Sequence, residues 1–285
     1  MPQTDDNIHW DEIIKPKNRL FDIHLKEIWH YRDLLMLFVR RDFVSVYKQT
    51  ILGPAWYLLQ ALLTTITFTI IFGKVAKLPT DGVPQSLFYM AGIVCWGYFS
   101  QCLTKTSNTF VNNAGIFGKV YFPRMTVPVS IVISNLVGFA IQLLMFIGFL
   151  VYYYFQGMPV HINTALLLFP VLILIMAGMG LGLGIIISSM TTKYRDLQYL
   201  IAFGVQLLMY ATPVIFPLSF FTGKLRTLVL LNPMTSVVET FKYAFLGSGT
   251  FNWMYLGYSA AFTVVILFIG VLLFNRVERS FMDTV

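Results

Sequence analysis

The sequence predicts an all-α membrane protein. It has six transmembrane helices with both termini in the cytoplasm, an amphipathic interfacial helix at the N-terminus and short re-entrant helices on the outer side between spans 5 and 6. Three observations carry this reading. First, residues 51–73, 86–104, 127–158, 162–192, 197–223 and 250–274 contain no Asp, Glu, Lys, Arg or His, and about 20 apolar residues suffice to cross a bilayer as a helix. Second, 57% of the chain is hydrophobic and only 12% charged, against about a quarter charged in soluble domains. Third, the Lys and Arg residues fall unevenly among the loops. Fifteen lie before the first stretch, between the second and third, between the fourth and fifth, and after the sixth; five lie on the other side. The positive-inside rule places the richer side, and both termini, in the cytoplasm. The net charge of +7 therefore reports membrane orientation and not a nucleic-acid partner.

Residues 1–24 read as an irregular cytoplasmic segment, and no cleaved signal peptide is visible in Met1–Trp10. Over 25–50, apolar Leu25, Ile28, Leu35, Val39, Phe43 and Val46 recur at helical spacing, with Lys26, Arg32, Arg40 and Lys48 largely between them. Such a helix lies in the membrane interface or packs on a soluble partner. Gly53-Pro54 opens the first span, and residues 51–274 form the six-span domain. The Lys-Leu-Pro-Thr-Asp-Gly-Val-Pro run that ends at Pro84 is turn chemistry on the outer side. Cys95 and Cys102 lie two helical turns apart within the second span and read as packed free thiols. Residues 105–128 mix breakers with Ile116, Phe117, Tyr121 and Phe122. This segment is either a short helix presenting Phe and Tyr to a partner or a plain interfacial turn. Gln156-Gly157-Met158-Pro159 turns on the outer side.

Gly178, Gly180, Gly182 and Gly184 alternate within the fourth span. No strand precedes them and the chain has no G-x-x-x-x-G-K-[ST], so they read as close helix contacts and not as a nucleotide loop. Residues 213–249 are too interrupted by Pro213, Pro217 and Asn232-Pro233 for a span and too apolar for a free loop. Short helices dipping into the outer leaflet reconcile both facts, and Glu239 and Lys242 are placed to pair on one helix face. Residues 275–285 form a cytoplasmic tail.

The missing chemistry is informative. The chain has no His-x-x-x-His, Cys-x-x-Cys or Gly-x-Ser-x-Gly and no paired carboxylates beside the membrane, so no catalytic or metal-binding residue is assigned. Charge-free spans also lack the titratable groups by which ion-coupled transporters work; a transporter of this kind takes its energy from another chain. The spans hold hydroxyl, amide and aromatic groups instead. Trp56, Gln60, Thr64 and Thr67 follow one face of the first span, with Tyr57 beside them, and Asn135, Gln142 and Gln206 lie at membrane depth. These either line a path for a neutral hydrophilic solute or bond neighbouring helices.

From residue 25 onward, ordered motifs resemble the permease subunit of bacterial ABC exporters for polysaccharides, the O-antigen, capsule and teichoic acid group. They are Tyr31-Arg32-Asp33-Leu34-Leu35, Arg41-Asp42, Tyr47-Lys48-Gln49-Thr50-Ile51-Leu52-Gly53-Pro54-Ala55-Trp56 and Ile116-Phe117-Gly118-Lys119-Val120-Tyr121-Phe122-Pro123-Arg124. Tyr194-Arg195-Asp196-Leu197, Thr212-Pro213-Val214-Ile215-Phe216-Pro217, Leu231-Asn232-Pro233-Met234 and Arg276-Val277-Glu278-Arg279-Ser280-Phe281-Met282-Asp283 complete the set.

The resemblance implies a homodimer with two cytoplasmic ATPase subunits that hold the ATP and Mg, with no cofactor on this chain, in the bacterial inner membrane. It implies a lipid-linked polysaccharide as substrate, moved from cytoplasm to periplasm. Ile116, Phe117, Lys119, Tyr121, Phe122, Pro123 and Arg124 would form the ATPase-coupling loop, and Tyr194, Arg195 and Asp196 a second cytoplasmic contact. Pro213, Pro217, Asn232, Pro233 and Glu239 would belong to the outer gate. Trp56 and Tyr57 would stand at the channel mouth, with Gln60, Thr64 and Thr67 beyond them. Alternatives are a lipid or drug permease of the same architecture, an intramembrane glycan-modifying enzyme, and a passive scaffold for a synthesis complex.

Overall fold

A computed structural model describes residues 25–48, 50–117, 119, 122–157, 163–191, 194 and 196–281. The segment 1–24, Tyr121, Arg195, Met158 and Pro159 of the 156–159 turn and the end of the tail lie outside the described residues. Among those described, the chain is 81% helix without strands. Four helical stretches are long and apolar enough to cross a membrane: Ala55–Val75, Thr126–Phe155, Thr164–Thr191 and Trp253–Val277.

The N-terminal helix is divided at Tyr31 into α1 (Leu25–His30) and α2 (Arg32–Tyr47). Helix α2 lies against α6 (Thr126–Phe155); it buries Phe38 and leaves Met36 and Leu37 exposed, as Trp29 is on α1. Helix α3 (Ala55–Phe68) runs on as a π-helical turn to Val75. It packs through Ala61, Thr65 and Phe68.

Helix α4 (Gln85–Thr106) is the centre of the bundle. Its 22 residues span about 33 Å at 1.5 Å per residue, enough for the hydrocarbon core, yet it falls outside the four most apolar stretches. Burial explains this: 14 of the 22 residues are buried, so α4 faces protein on most sides and can carry Trp96, Tyr98, Ser100 and Gln101 where a lipid-facing helix would carry Leu and Val. A short helix α5 (Thr109–Phe117) follows.

Helix α7 (Phe169–Thr191), entered through a 3-10 turn at Thr164–Leu168, is held between α4 and α11 (Trp253–Phe281). The alternating glycines form two ladders with a period of four residues, which open opposite sides of the helix. On one side, a Cβ at Gly180 would stand 2.7 Å from the Cys102 Cβ, and one at Gly184 2.6 Å from the Thr106 Cβ, both on α4. On the other, a Cβ at Gly178 would stand 2.7 Å from Thr263, and one at Gly182 2.8 Å from Ile266, both on α11. Small residues are therefore required on both faces. Cys95 and Cys102 are free and buried.

The fifth charge-free stretch does not form one helix. Helix α8 (Leu197–Tyr210) stops after 14 residues, about 21 Å, and the chain turns at 211–217 before α9 (Gly223–Leu231) and α10 (Pro233–Leu246). Pro213 and Pro217 account for the break, since neither can donate into a helix ladder. No residue of α8 is buried, and α9 exposes Leu225, Leu228 and Leu231. Twelve of the 14 residues of α10 are buried, including Glu239 and Lys242.

Gly180→Ala and Gly182→Ala should each destabilise the protein by about 1–3 kcal/mol through overpacking. Gly148→Ala in α6, where nothing lies within 4 Å of the new Cβ, should be neutral or slightly stabilising. Thermal unfolding of the detergent-solubilised chain measures the difference.

Candidate functional site

The polar and aromatic groups gather at two ends of the bundle, one marked by Lys105 and the other by Lys242. From the Lys105 end along α3, Trp56, Gln60 and Thr67 lie on a face that no other described residue covers. Thr64 is half-buried and donates to the Gln60 carbonyl at 2.8 Å. Tyr57 turns the other way, with its ring against Gly138 of α6, where a Cβ would stand 2.8 Å from it. Its carbonyl accepts from Gln142 Nε2 at 3.4 Å. Asn135 accepts from Lys105 Nζ at 2.7 Å. Thus Thr64, Asn135 and Gln142 bond protein, while Gln60, Thr67 and, on α8, Gln206 remain uncovered. A cavity of about 220 Å³ opens between α2, α3, α4 and α6, lined by Asp42, Tyr57, Lys105 and Asn135 among others.

The segment after α4 folds as the short helix α5, but its phenylalanines point inward. Phe117 and Phe122 are buried with Phe38, Phe110, Val127, Ile185 and Phe274 in a small core that joins α2, α5, α6, α7 and α11. The Phe110 and Phe274 rings stack at 4.6 Å, and the Arg124 guanidinium, also buried, lies over Phe117 at 5.6 Å. The expected display of Phe to a partner is therefore not how this chain uses the rings. Apolar rings at a water boundary gain more by covering one another. Lys119 is exposed, and Ile116 and Pro123 are half-buried. Two bonds tie this segment to α7: the Phe110 N–H donates to Ser188 Oγ at 3.2 Å, and Thr191 Oγ1 donates to the Ser107 carbonyl at 3.0 Å. Tyr194 and Asp196 are exposed at the same end.

At the opposite end α10 is fastened to the 211–217 turn near both its ends. Asn232 caps α10 by accepting from the Met234 N–H at 3.0 Å, with Pro233 at the first helical position. Its Nδ2 donates to Thr212 Oγ1 at 2.8 Å. Nearly three turns on, Lys242 Nζ donates to the Pro213 carbonyl at 2.6 Å and stands 3.4 Å from the centre of the Phe88 ring. Pro213 and Pro217 are buried, and the turn sits so close to α4 that a Cβ at Gly92 would stand 2.9 Å from the Val214 Cα.

Glu239 and Lys242 share a face of α10 as expected, but each bonds elsewhere. Glu239 Oε2 accepts from the Thr250 N–H at 3.0 Å and from Thr250 Oγ1 at 3.3 Å. Gly249, at φ +101°, brings Thr250 there; a side chain at this position would meet the Glu239 carbonyl at 2.9 Å. Burial pushes the Lys242 pKa down and that of Glu239 up, and the charge of each partly offsets the shift of the other. Sequence reasoning counted Lys242 as a loop charge. Its signal was the apolar company of Val237, Val238, Phe241 and Phe245.

Comparison with known proteins adds to the geometry. Residues 33–246, well over half the chain, match the family model described as ABC-2 type transporter. The chain is 28% identical over 266 residues to the O-antigen export system permease protein RfbA of Myxococcus xanthus, covering 92% of this chain and 98% of that protein. It is 25% identical over 251 residues to the protein of the same name from Klebsiella pneumoniae, covering 88% and 94%. It is also 24% identical over 235 residues to the polysialic acid transport protein KpsM of Escherichia coli, covering 82% and 89%.

Replacing Lys242 by Leu should cost about 3–5 kcal/mol, because Pro213 loses its donor and Glu239 its nearest cation within a buried site. Lys224→Ala on exposed α9 should stay within about 0.5 kcal/mol. Thermal unfolding in detergent separates the two.

Proposed function

We propose a function on one premise: this chain belongs to the ABC-2 type transporter family of membrane permeases. It is a multi-pass protein of the bacterial inner membrane. In our reading it is the channel-forming subunit of an exporter that moves a lipid-linked, O-antigen-like polysaccharide from cytoplasm to periplasm. Two copies pair, and two cytoplasmic ATPase subunits hold the ATP and Mg and supply the energy; this chain carries no cofactor. Six spans with both termini in the cytoplasm put the Lys105 end inside and the Lys242 end outside. Helix α8 together with the 211–217 turn makes the fifth crossing, and α9 and α10 are the re-entrant gate helices.

One observation carries the reading. Helices α3 and α8 both pack on α4 and leave Trp56, Gln60 and Thr67 on one, and Tyr199, Gln206 and Tyr210 on the other, uncovered by the described residues. Bare amides and hydroxyls are costly against lipid tails. Faces of this composition on two copies, set opposite each other, would enclose a wet path with aromatic walls on which sugar rings can stack. The similarity to O-antigen and polysialic acid exporters along most of the chain supports the same cargo class.

In this reading Lys119 meets the ATPase, while Phe117 and Phe122 shape the loop from within. Tyr194, Arg195 and Asp196 form the second contact. Co-expression with the ATPase should yield a stable 2:2 complex whose ATP hydrolysis depends on this chain. A monomer that transforms lipid-linked sugar without ATP would overturn the reading. Trp56→Ala, made at wild-type level, should lower polymer export by about tenfold, the size of one lost aromatic contact, and unchanged export removes it from the channel; Tyr57, with its ring against Gly138, lies off that face. Lys119→Glu should weaken ATPase co-purification while leaving the melting temperature unchanged, whereas Phe117→Ala, which removes about 3–5 kcal/mol of core packing, should lower the melting temperature.

A further inference from the structure

The cavity at the Lys105 end lies beside the proposed channel face and is built differently from it. The Asp42 carboxylate, on α2, is three-quarters buried, and both Arg41 donors land on its Oδ1 at 2.9 and 2.8 Å. Opposite stands Lys105 from α4, held by Asn135 of α6, itself 4% exposed. Asn135 Nδ2 has only a 4.0 Å contact with the Cys102 sulfur. Ser45, Ser134 and the Tyr57 side chain complete the polar wall.

The charges select the occupant. An anion such as a phosphate would face the Asp42 carboxylate, and a cation would face Lys105. An acyl chain would offer nothing to the second Asp42 oxygen, to the remaining Lys105 donors or to Asn135 Nδ2, which the Arg41 and Asn135 contacts leave over. A neutral ligand that offers donors and acceptors together, on adjacent atoms, satisfies all of them. Vicinal hydroxyls do this: Asp42 accepts, Lys105 donates, and Asn135 and the two serines complete the set. The cavity, about 220 Å³, is smaller than the roughly 300–1,000 Å³ of drug-sized sites, which suits one sugar ring. From this juxtaposition we propose that the α2–α3–α4–α6 cavity is a monosaccharide subsite, binding one neutral pyranose through its hydroxyls where α2 meets the bundle. This inference rests on the permease reading and gives it a point at which a single residue of the glycan is recognised before the chain passes on.

The test uses the full chain with its ATPase in lipid nanodiscs. The probes are the methyl glycosides of mannose, glucose, galactose, rhamnose and N-acetylglucosamine, followed by saturation-transfer NMR, with inorganic pyrophosphate as competitor. At least one glycoside should bind, and Ser134→Ala and Asp42→Asn should each weaken it by about tenfold, one hydrogen bond's worth. Ser134→Ala removes a single hydroxyl without touching the Arg41–Asp42 pair, so it decides the matter even where Asp42→Asn folds poorly. The subsite is overturned if no glycoside binds, if binding is the same in Ser134→Ala, or if pyrophosphate displaces the sugar. Polymer export by the wild-type complex is measured in parallel. Export without pocket-dependent sugar binding removes only the subsite; absence of export removes the permease reading itself.

Discussion

The bundle depends on how closely three helices approach along α7. Lipid tails are as apolar as Leu, so helices in a membrane are held by packing and hydrogen bonds and not by escape from water. Helix α7 meets this constraint twice, with Gly180 and Gly184 against α4 and Gly178 and Gly182 against α11. Helix α11 answers with a glycine of its own, since a Cβ at Gly270 would stand 2.9 Å from the Gly182 carbonyl. The three backbones form the slab to which everything else attaches: α5 through Ser188 and Thr191, α10 through Phe88, and α3 and α8 along the flanks of α4. Both functional ends inherit their positions from it.

Those ends differ in how they treat charge. At the Lys105 end, ammonium and carboxylate line a cavity and are matched by side chains from three helices. At the Lys242 end, the ammonium is sealed against a ring and a carbonyl and the carboxylate against Thr250. The first arrangement can exchange partners with a ligand. The second locks α10 to the 211–217 turn.

What could be read from the sequence follows physical range. Charge-free length marked the apolar helices, and the spacing of Gly178 to Gly184 marked close contact, because both are local properties. Helix α4 was legible as a helix for the same reason, since residues 86–104 carry no charge. The end of α8 was hidden because Pro213 and Pro217 were assigned to the region beyond the fifth span, not to its interruption. Glu239 and Lys242 were placed on one face correctly. Their true partners, Thr250, Pro213 and Phe88, come from other elements and have no signature in helical spacing. The inward rings of Phe117 and Phe122 were equally out of reach, since Phe38 and Phe274 that cover them are distant in sequence. The candidate polar set was legible as a list, but which members bond protein and which stay uncovered was decided only by the fold.

The buried Lys242 also imposes an order on how the protein is made. Its ring comes from α4, about 150 residues earlier, and its carbonyl from Pro213, 29 residues earlier. Until both are in position, the ammonium has no shelter in an apolar setting, where an unpaired charge is expensive. Helix α10 can therefore settle only against α4 and the 211–217 turn, both of which precede it in the chain.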